Sequence, residues 1–175
     1  MATPIDVARV ETTIGYHCRD TGLITQALRA PSKLQNKESG TIVQLDDGNR
    51  KLAQLGHKVL ELVLMDQWYR AGSDRGILDV PSLWYMDHTL IGTENIQDTI
   101  HKLAKGEYLA SIAKRRGLDT CIACCERQGD SNPSPKTLKL AVTAVVAAVW
   151  LDSDKNLDAV SKVVEQLRIV TFSDV

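Results

Sequence analysis

The chain has 175 residues, with 21 Lys or Arg against 22 Asp or Glu for a formal charge of -1; 43% of residues are hydrophobic and 5% aromatic. That is too apolar for a disordered chain, and four cysteines are too few for a disulfide scaffold. Balanced charge excludes a protein that coats nucleic acid by bulk electrostatics, and scarce aromatics exclude a barrel of base-stacking platforms.

Apolar positions recur mostly at three and four residues, which predicts an all-α single domain. A first helix is expected over Ile5 to Thr13, and a second starts after Asp20-Thr21-Gly22 and runs through Leu23, Ala27 and Leu28, stopped by Pro31 and Ser32. Gln35 to Gly48 is polar, ends in Asp46-Asp47-Gly48 and reads as loop. From Asn49 to Tyr69, Leu52, Leu55, Val59, Leu62 and Val63 form the stripe of the clearest helix, with Gly72 beyond its end. A helical stretch follows Pro81 through Leu83, Met86 and Leu90. Further helices are expected over Asn95–Lys105 and Tyr108–Arg116, the second closed by Gly117.

Asp130 to Pro135 is an expected exposed loop. Lys136 to Leu151 is Ala/Val-rich and apolar almost all round, so it reads as a buried helix that packing must hold, since Val lowers helix propensity. Its apolar run is interrupted by Lys139 and is too short to span a membrane. Leu157 to Leu167 is a last amphipathic helix.

Met1 to Val10 contains Pro4, Asp6 and Arg9 and no apolar run, so no signal peptide is visible. Cys121 and Cys124 have metal-ligand spacing, but there is no second such pair, and only His17 with Cys18 could complete a zinc site. Reduced intracellular thiols fit the four cysteines better.

Three ordered segments resemble the ribonuclease III domain. Ile14-Gly15-Tyr16-His17-Cys18-Arg19-Asp20, followed by Leu23-Ile24-Thr25-Gln26-Ala27-Leu28, is similar to that family's opening turn and helix. Asn49-Arg50-Lys51-Leu52-Ala53-Gln54-Leu55-Gly56-His57-Lys58-Val59-Leu60-Glu61-Leu62 resembles its signature Asn-Glu-Arg-Leu-Glu-Phe-Leu-Gly-Asp-Ala-Val-Leu-Glu-Leu. Leu138 to Asp152, ending Ala148-Val149-Trp150-Leu151-Asp152, matches its late helix. Leu109 to Asp119 also fits the connecting helix. The resemblance implies the ribonuclease III endonuclease-domain fold over 14–170, after an N-terminal helical extension at 1–13. With the chain stopping at Val175, no double-stranded-RNA-binding domain is expected.

Family members cleave double-stranded RNA with Mg²⁺ held by two carboxylate pairs, spaced i,i+4 on the signature helix and i,i+3 on the late helix. Those spacings put each pair on one helical face. Carried over residue by residue, the pairs fall on Ala53 and His57 and on Leu140 and Thr143. None is a carboxylate, and a one-residue shift rescues nothing, since neither Lys51–Lys58 nor Leu138–Leu151 contains Asp or Glu. Arg50 also replaces the acid beside the first signature Asn. Glu61 belongs to the helix body, while Asp46, Asp47 and Asp152 lie in loops or at helix ends, where carboxylates have structural work. His57, facing Ala53 across one turn, reads as a packed or hydrogen-bonded residue, and His17, His88 and His101 show no partner spacing.

The resemblance therefore implies an RNase III-like protein without catalytic residues or a bound cofactor, in a structural or RNA-associated role in RNA processing or ribonucleoprotein assembly. Some relatives of this kind are structural proteins of mitochondrial ribosomes. Two alternatives stand beside this reading: an active metal-dependent endoribonuclease with a relocated site, and a dimer partner lending binding surface to another subunit.

Lys102, Lys105, Lys114, Arg115 and Arg116 face the single acid Glu107 between His101 and Arg116, which makes them candidates for double-stranded RNA phosphates. A solvated helical face explains them equally. A C2 homodimer is expected, with Trp68, Tyr69, Trp84, Tyr85 and Met86 as anchors. No membrane association is expected; the location is intracellular, with cytoplasm and mitochondrial matrix both open.

Overall fold

The computed structural model describes residues 3–35, 42–70, 96–104, 106–123 and 133–169. Its first helix, α1 (Pro4–Ile14), begins with a reciprocal capping box. The Thr3 hydroxyl accepts from the Asp6 N–H at 3.2 Å, and the Asp6 carboxylate accepts from the Thr3 N–H at 2.8 Å. Gly15 closes it in the left-handed region at φ +63°, a conformation a Cβ would strain. Val7, Val10 and Ile14 are buried in the core shared with the later helices, so the helical extension expected at 1–13 packs into the domain.

Asp20 caps α2 (Thr21–Ala27) by accepting from the Gly22 N–H. This helix ends before Pro31, at Leu28, because the following backbone is claimed elsewhere. Ala123 N–H donates to Leu28 O and Ala30 N–H donates to Ala123 O, a short parallel bridge. The next segment departs from the all-helical expectation. Ser32–Gln35 (β1) pairs antiparallel with Ile42–Asp46 (β2), Leu34 opposite Val43, so the second part of the loop expected over Gln35–Gly48 is a strand. The β-branched Ile42-Val43 pair favours extended backbone, and the hairpin satisfies main-chain groups that a loop would leave to water.

The long α3 (Arg50–Arg70) follows, then α4 (Ile96–Leu103) and α5 (Gly106–Arg115), closed by left-handed Gly117 and a 3₁₀ turn over Leu118–Cys121. The helical stretch expected after Pro81, the candidate anchors Trp84, Tyr85 and Met86, and Lys105 lie outside the described residues. Pro135, expected in a loop, is instead the first residue of α6 (Pro135–Asp152). Ser134 caps it, and a proline there gives up an N–H that had no partner anyway. Asn156 caps α7 (Leu157–Leu167).

Helix α6 is the centre of the fold. Leu138 and every residue from Ala141 to Val149 are buried, and α6 packs on α2, α3, α5 and α7. Each fully buried Val or Leu contributes about 2 kcal/mol, which more than offsets the few tenths per residue that Val costs in helix propensity. Its most extensive contact is with α3. That contact depends on Gly56: a Cβ there would stand 1.7 Å from the Thr143 carbonyl oxygen and 3.0 Å from the Ala147 nitrogen. Hydrogen in place of a side chain lets the two backbones touch.

Candidate functional site at the α3–α6 crossing

The four positions that the resemblance assigns to carboxylates lie on the two crossing helices. Ala53 and His57 flank Gly56 on α3, while Leu140 and Thr143 lie on the facing part of α6. Ala53 is 2% exposed and Thr143 1%, so half of the constellation lies inside the core. The Thr143 hydroxyl donates back to its own helix, to the carbonyls of Lys139 at 3.0 Å and Leu140 at 3.2 Å. Leu140 is half-buried against the core.

His57 is half-buried. Its Nε2 lies 3.2 Å from Glu61 Oε1, one turn along α3, and its Nδ1 is buried without a hydrogen-bond partner. The other Glu61 oxygen accepts from Lys58 Nζ at 2.9 Å. Burial lowers the His57 pKa below the usual histidine value; Glu61 opposes this, while Lys139, Lys58 and His101 add to it. The ring is neutral at pH 7. Magnesium takes an octahedron of hard oxygens, and these four positions offer a methyl, an imidazole, an isobutyl and an engaged hydroxyl. Among the described residues no group of three or more His, Cys, Asp or Glu is arranged to hold a metal. Cys18 and Cys121 are buried free thiols, and Cys124 lies outside the described residues. Burial, with Asp152, Glu11 and Asp20 nearby, pushes the Cys18 thiol up to about 12.

Asp152, at the end of α6, is a buried acid. Its carboxylate accepts from the Asp20 N–H at 2.7 Å, the Arg19 N–H at 3.0 Å and the Tyr16 hydroxyl at 2.9 Å. The Arg19 guanidinium also donates to the Asp152 carbonyl and pairs with Asp154 at 2.9 Å. Burial alone would raise the Asp152 pKa; the two N–H donors, Tyr16 and Arg19 outweigh it and hold the carboxyl below the usual range. Tyr16 is pushed up to about 12, by burial first and then by its bond to Asp152. This node fastens the turn after α1 to the end of α6. Asp46 likewise has structural work, pairing with Arg29 at 2.7 Å. Among the histidines, His17 does have a partner, Glu11 Oε2 at 2.8 Å.

The basic candidates divide. Lys114 and Arg115 are exposed at the end of α5, and Lys102 is half-buried on α4. Arg116 is committed to structure: its guanidinium donates to the carbonyls of Gln166 and Leu167 at the C-terminus of α7. Asn49 has a role that sequence reasoning missed. It is fully buried and donates from Nδ2 to Ala27 O at 2.8 Å, joining the end of α2 to the start of α3. A single Asn at a helix start reads only as a cap, and nothing local reveals a partner twenty-two residues away.

Such a helical domain, centred on a buried late helix crossing a long signature helix, is of the ribonuclease III nuclease type, and comparison with solved structures bears this out. The nuclease domain of ribonuclease III from Campylobacter jejuni superposes with a TM-score of 0.63 at 19% identity, covering 95% of this chain and 94% of that one. A second structure of that domain, described for flexibility in a region involved in dimer formation, gives 0.61 at 20% identity over 92% and 94%. Endoribonuclease Dicer homolog 4 of Oryza sativa subsp. japonica is 30% identical over 177 residues, which cover 97% of this chain. The chain spans about a tenth of the length of that curated relative. No family model matches. The chain has the fold of a ribonuclease III nuclease domain.

Proposed function

We propose that this domain is a non-catalytic member of the double-stranded-RNA processing machinery, serving as a structural or RNA-docking element and binding no catalytic magnesium. The observation that supports this most directly is the α3–α6 crossing, where the four positions hold no carboxylate and Ala53 and Thr143 are sealed in the core. Hydrolysis of a phosphodiester needs an activated water and neutralisation of the departing charge, and these side chains supply neither. A role in ribonucleoprotein assembly, in the cytoplasm or the mitochondrial matrix, uses the same fold without the chemistry. Among the described residues no helix is long and apolar enough to cross a membrane.

The test is incubation of the purified protein with duplex RNA in Mg²⁺ and in Mn²⁺. Intact RNA is expected. Staggered products that disappear with chelator would establish the active-nuclease alternative instead.

The working unit in this reading is a homodimer. Leu55, Leu62 and Tyr69 recur every seven residues along α3 and are 38%, 50% and 79% exposed, an apolar stripe of the kind that two-fold contacts cover. Light scattering at tens of micromolar should give twice the chain mass; a monomer mass would contradict it.

RNA contact through Lys102, Lys105, Lys114 and Arg115 should be weak and salt-dependent. Charge reversal at Arg115 tests it without disturbing the fold. Reversal at Arg116 would also remove the cap on α7, so loss of binding there would not isolate an RNA contact.

A further inference from the structure

We propose that duplex RNA docks its backbone on an arginine corner where the end of α5 meets the end of α7, with Arg168 and Arg115 as the phosphate contacts and Arg116 as the group that holds the corner together. This rests on the RNA-docking reading above. It adds Arg168, which lies outside the basic run from His101 to Arg116, and a place remote from the α3–α6 crossing.

Hydrogen bonds between distant segments build the corner. Arg116 donates to the Gln166 carbonyl at 2.5 Å and the Leu167 carbonyl at 3.3 Å, which brings the end of α5 against the residues just before Arg168. Arg168 is itself fixed: its N–H donates to Glu165 O at 2.8 Å, and the Ile169 N–H donates to Val164 O at 3.1 Å. Leu167 and Ile169, on either side of it, are wholly buried, while Arg168 and Arg115 are exposed. Arg9 of α1 reaches the same end of the fold, with Nη2 3.1 Å from Thr120 Oγ1 in the 3₁₀ turn.

The backbone at Arg168 gives an independent signal. It adopts the left-handed region at φ +54° and ψ 47°, which an L side chain resists and glycine enters freely. Glycine is the usual residue at such a helix end. An arginine there gives up stability in exchange for its side chain, and a strained non-glycine residue points to function.

Nothing in the described residues neutralises this corner. Burial, then the charges of Arg168 and Arg115, lower the Arg116 pKa, so the guanidinium groups repel one another. None of the three has an ion pair among the described residues. The acids of the neighbouring segments are occupied or turned inward: Glu165 accepts from Gln67 and Ser161, Asp6 is held in the α1 capping box, and Asp119 is half-buried. A phosphodiester relieves such repulsion, and a guanidinium presents it with paired N–H donors. An A-form duplex offers its backbone for that contact. The corner stands about 15 Å, the length of α5, from Gly106, which adjoins Lys139 beside the crossing.

The experiment is fluorescence anisotropy of a labelled RNA duplex with the full chain across a salt series in EDTA, with a thermal melt of each variant. Arg168→Gly is the deciding variant, because it relaxes the helix end while removing the guanidinium. It should raise the melting temperature by about 2 °C, weaken RNA binding about tenfold and reduce the log–log salt slope by about 0.9. Arg168→Lys, which keeps the charge, should retain most of the affinity. Arg115→Glu should weaken binding, and Lys155→Glu, at the other end of α7, should leave it unchanged. A stabilised Arg168→Gly with wild-type affinity would make Arg168 a helix end and nothing more; if Lys102→Glu still weakened binding, this proposal would fall while the docking reading stood. No binding of the duplex by the wild type would overturn both. Should Arg168→Gly melt below the wild type, Arg168→Gln and Arg168→Lys, alike in backbone strain, read the charge alone, and equal affinity of those two would overturn the proposal.

Discussion

Two regions of α6 handle the same physical problem in opposite ways. At its C-terminal end a buried carboxylate, Asp152, is kept and surrounded by the Asp20 and Arg19 N–H groups and the Tyr16 hydroxyl. In its N-terminal half, where the family resemblance places acids, α6 holds Leu140 and Thr143, and the Thr143 backbone touches Gly56 of α3. A buried charge persists only where donors compensate its desolvation. Asp152 has such donors within the protein; acids at the crossing would have depended on an external cation. Uncharged side chains let the crossing close as an ordinary core.

Four changes would break or sharpen this contrast. The largest effect is expected from Gly56→Ala, which forces a methyl into the Thr143 carbonyl and must part α3 from α6. Chemical denaturation should show a loss of about 3 kcal/mol, the upper range for overpacking; a loss below about 1 kcal/mol would mean that the helices can separate cheaply.

Next comes Asp152→Ala, which strands a tyrosine hydroxyl and two N–H donors and should cost about 2 kcal/mol. Because its folded pKa is depressed, Asp152 contributes stability above the ordinary carboxylate range, and that contribution is lost as pH falls through the folded value. The wild-type acid limb below about pH 4 should therefore flatten in Asp152→Asn. An unchanged limb would separate the node from acid unfolding.

Rebuilding the crossing as Ala53→Glu, His57→Asp, Leu140→Asp and Thr143→Glu reverses the comparison directly. Without metal the variant should melt below the wild type, since two of its four acids enter the core. Added Mg²⁺ should raise its melting temperature and leave the wild type unmoved. A magnesium shift in the wild type would show that a metal site exists there.

The smallest effect concerns His57. Its folded pKa is lowered, so the folded state binds that proton less readily than the unfolded chain. Stability is full above the ordinary value of about 6.5 and declines as pH falls from there toward the folded pKa. His57→Phe should remove that slope between neutral pH and pH 5 while leaving the pH 8 stability within about 1 kcal/mol. Persistence of the slope would assign it to another group.

Much of this was legible in the sequence because it is local. Helical spacing marks α3, α5, α6 and α7 to within a few residues, left-handed Gly117 closes α5, and the all-apolar circumference of Leu138–Leu151 requires burial. The absence of acids at residues 53, 57, 140 and 143 is likewise a fact of sequence.

The remainder depends on contacts between distant segments, which no local pattern encodes. Polar residues over Gln35–Gly48 conceal a strand, since pairing with Ser32–Gln35 is decided by the partner. Arg116 and Lys114 look alike in a charge count, yet only Arg116 meets the end of α7 fifty residues later. Asn49 and Asp152 are ordinary polar residues until folding buries them against Ala27 and against the turn from Tyr16 to Asp20. Periodicity and composition thus determined which segments are helical and which positions lack acids. Only the tertiary structure decided which polar groups are compensated, which are spent on structure and which stay exposed, because burial and hydrogen-bond partners exist only between segments brought together.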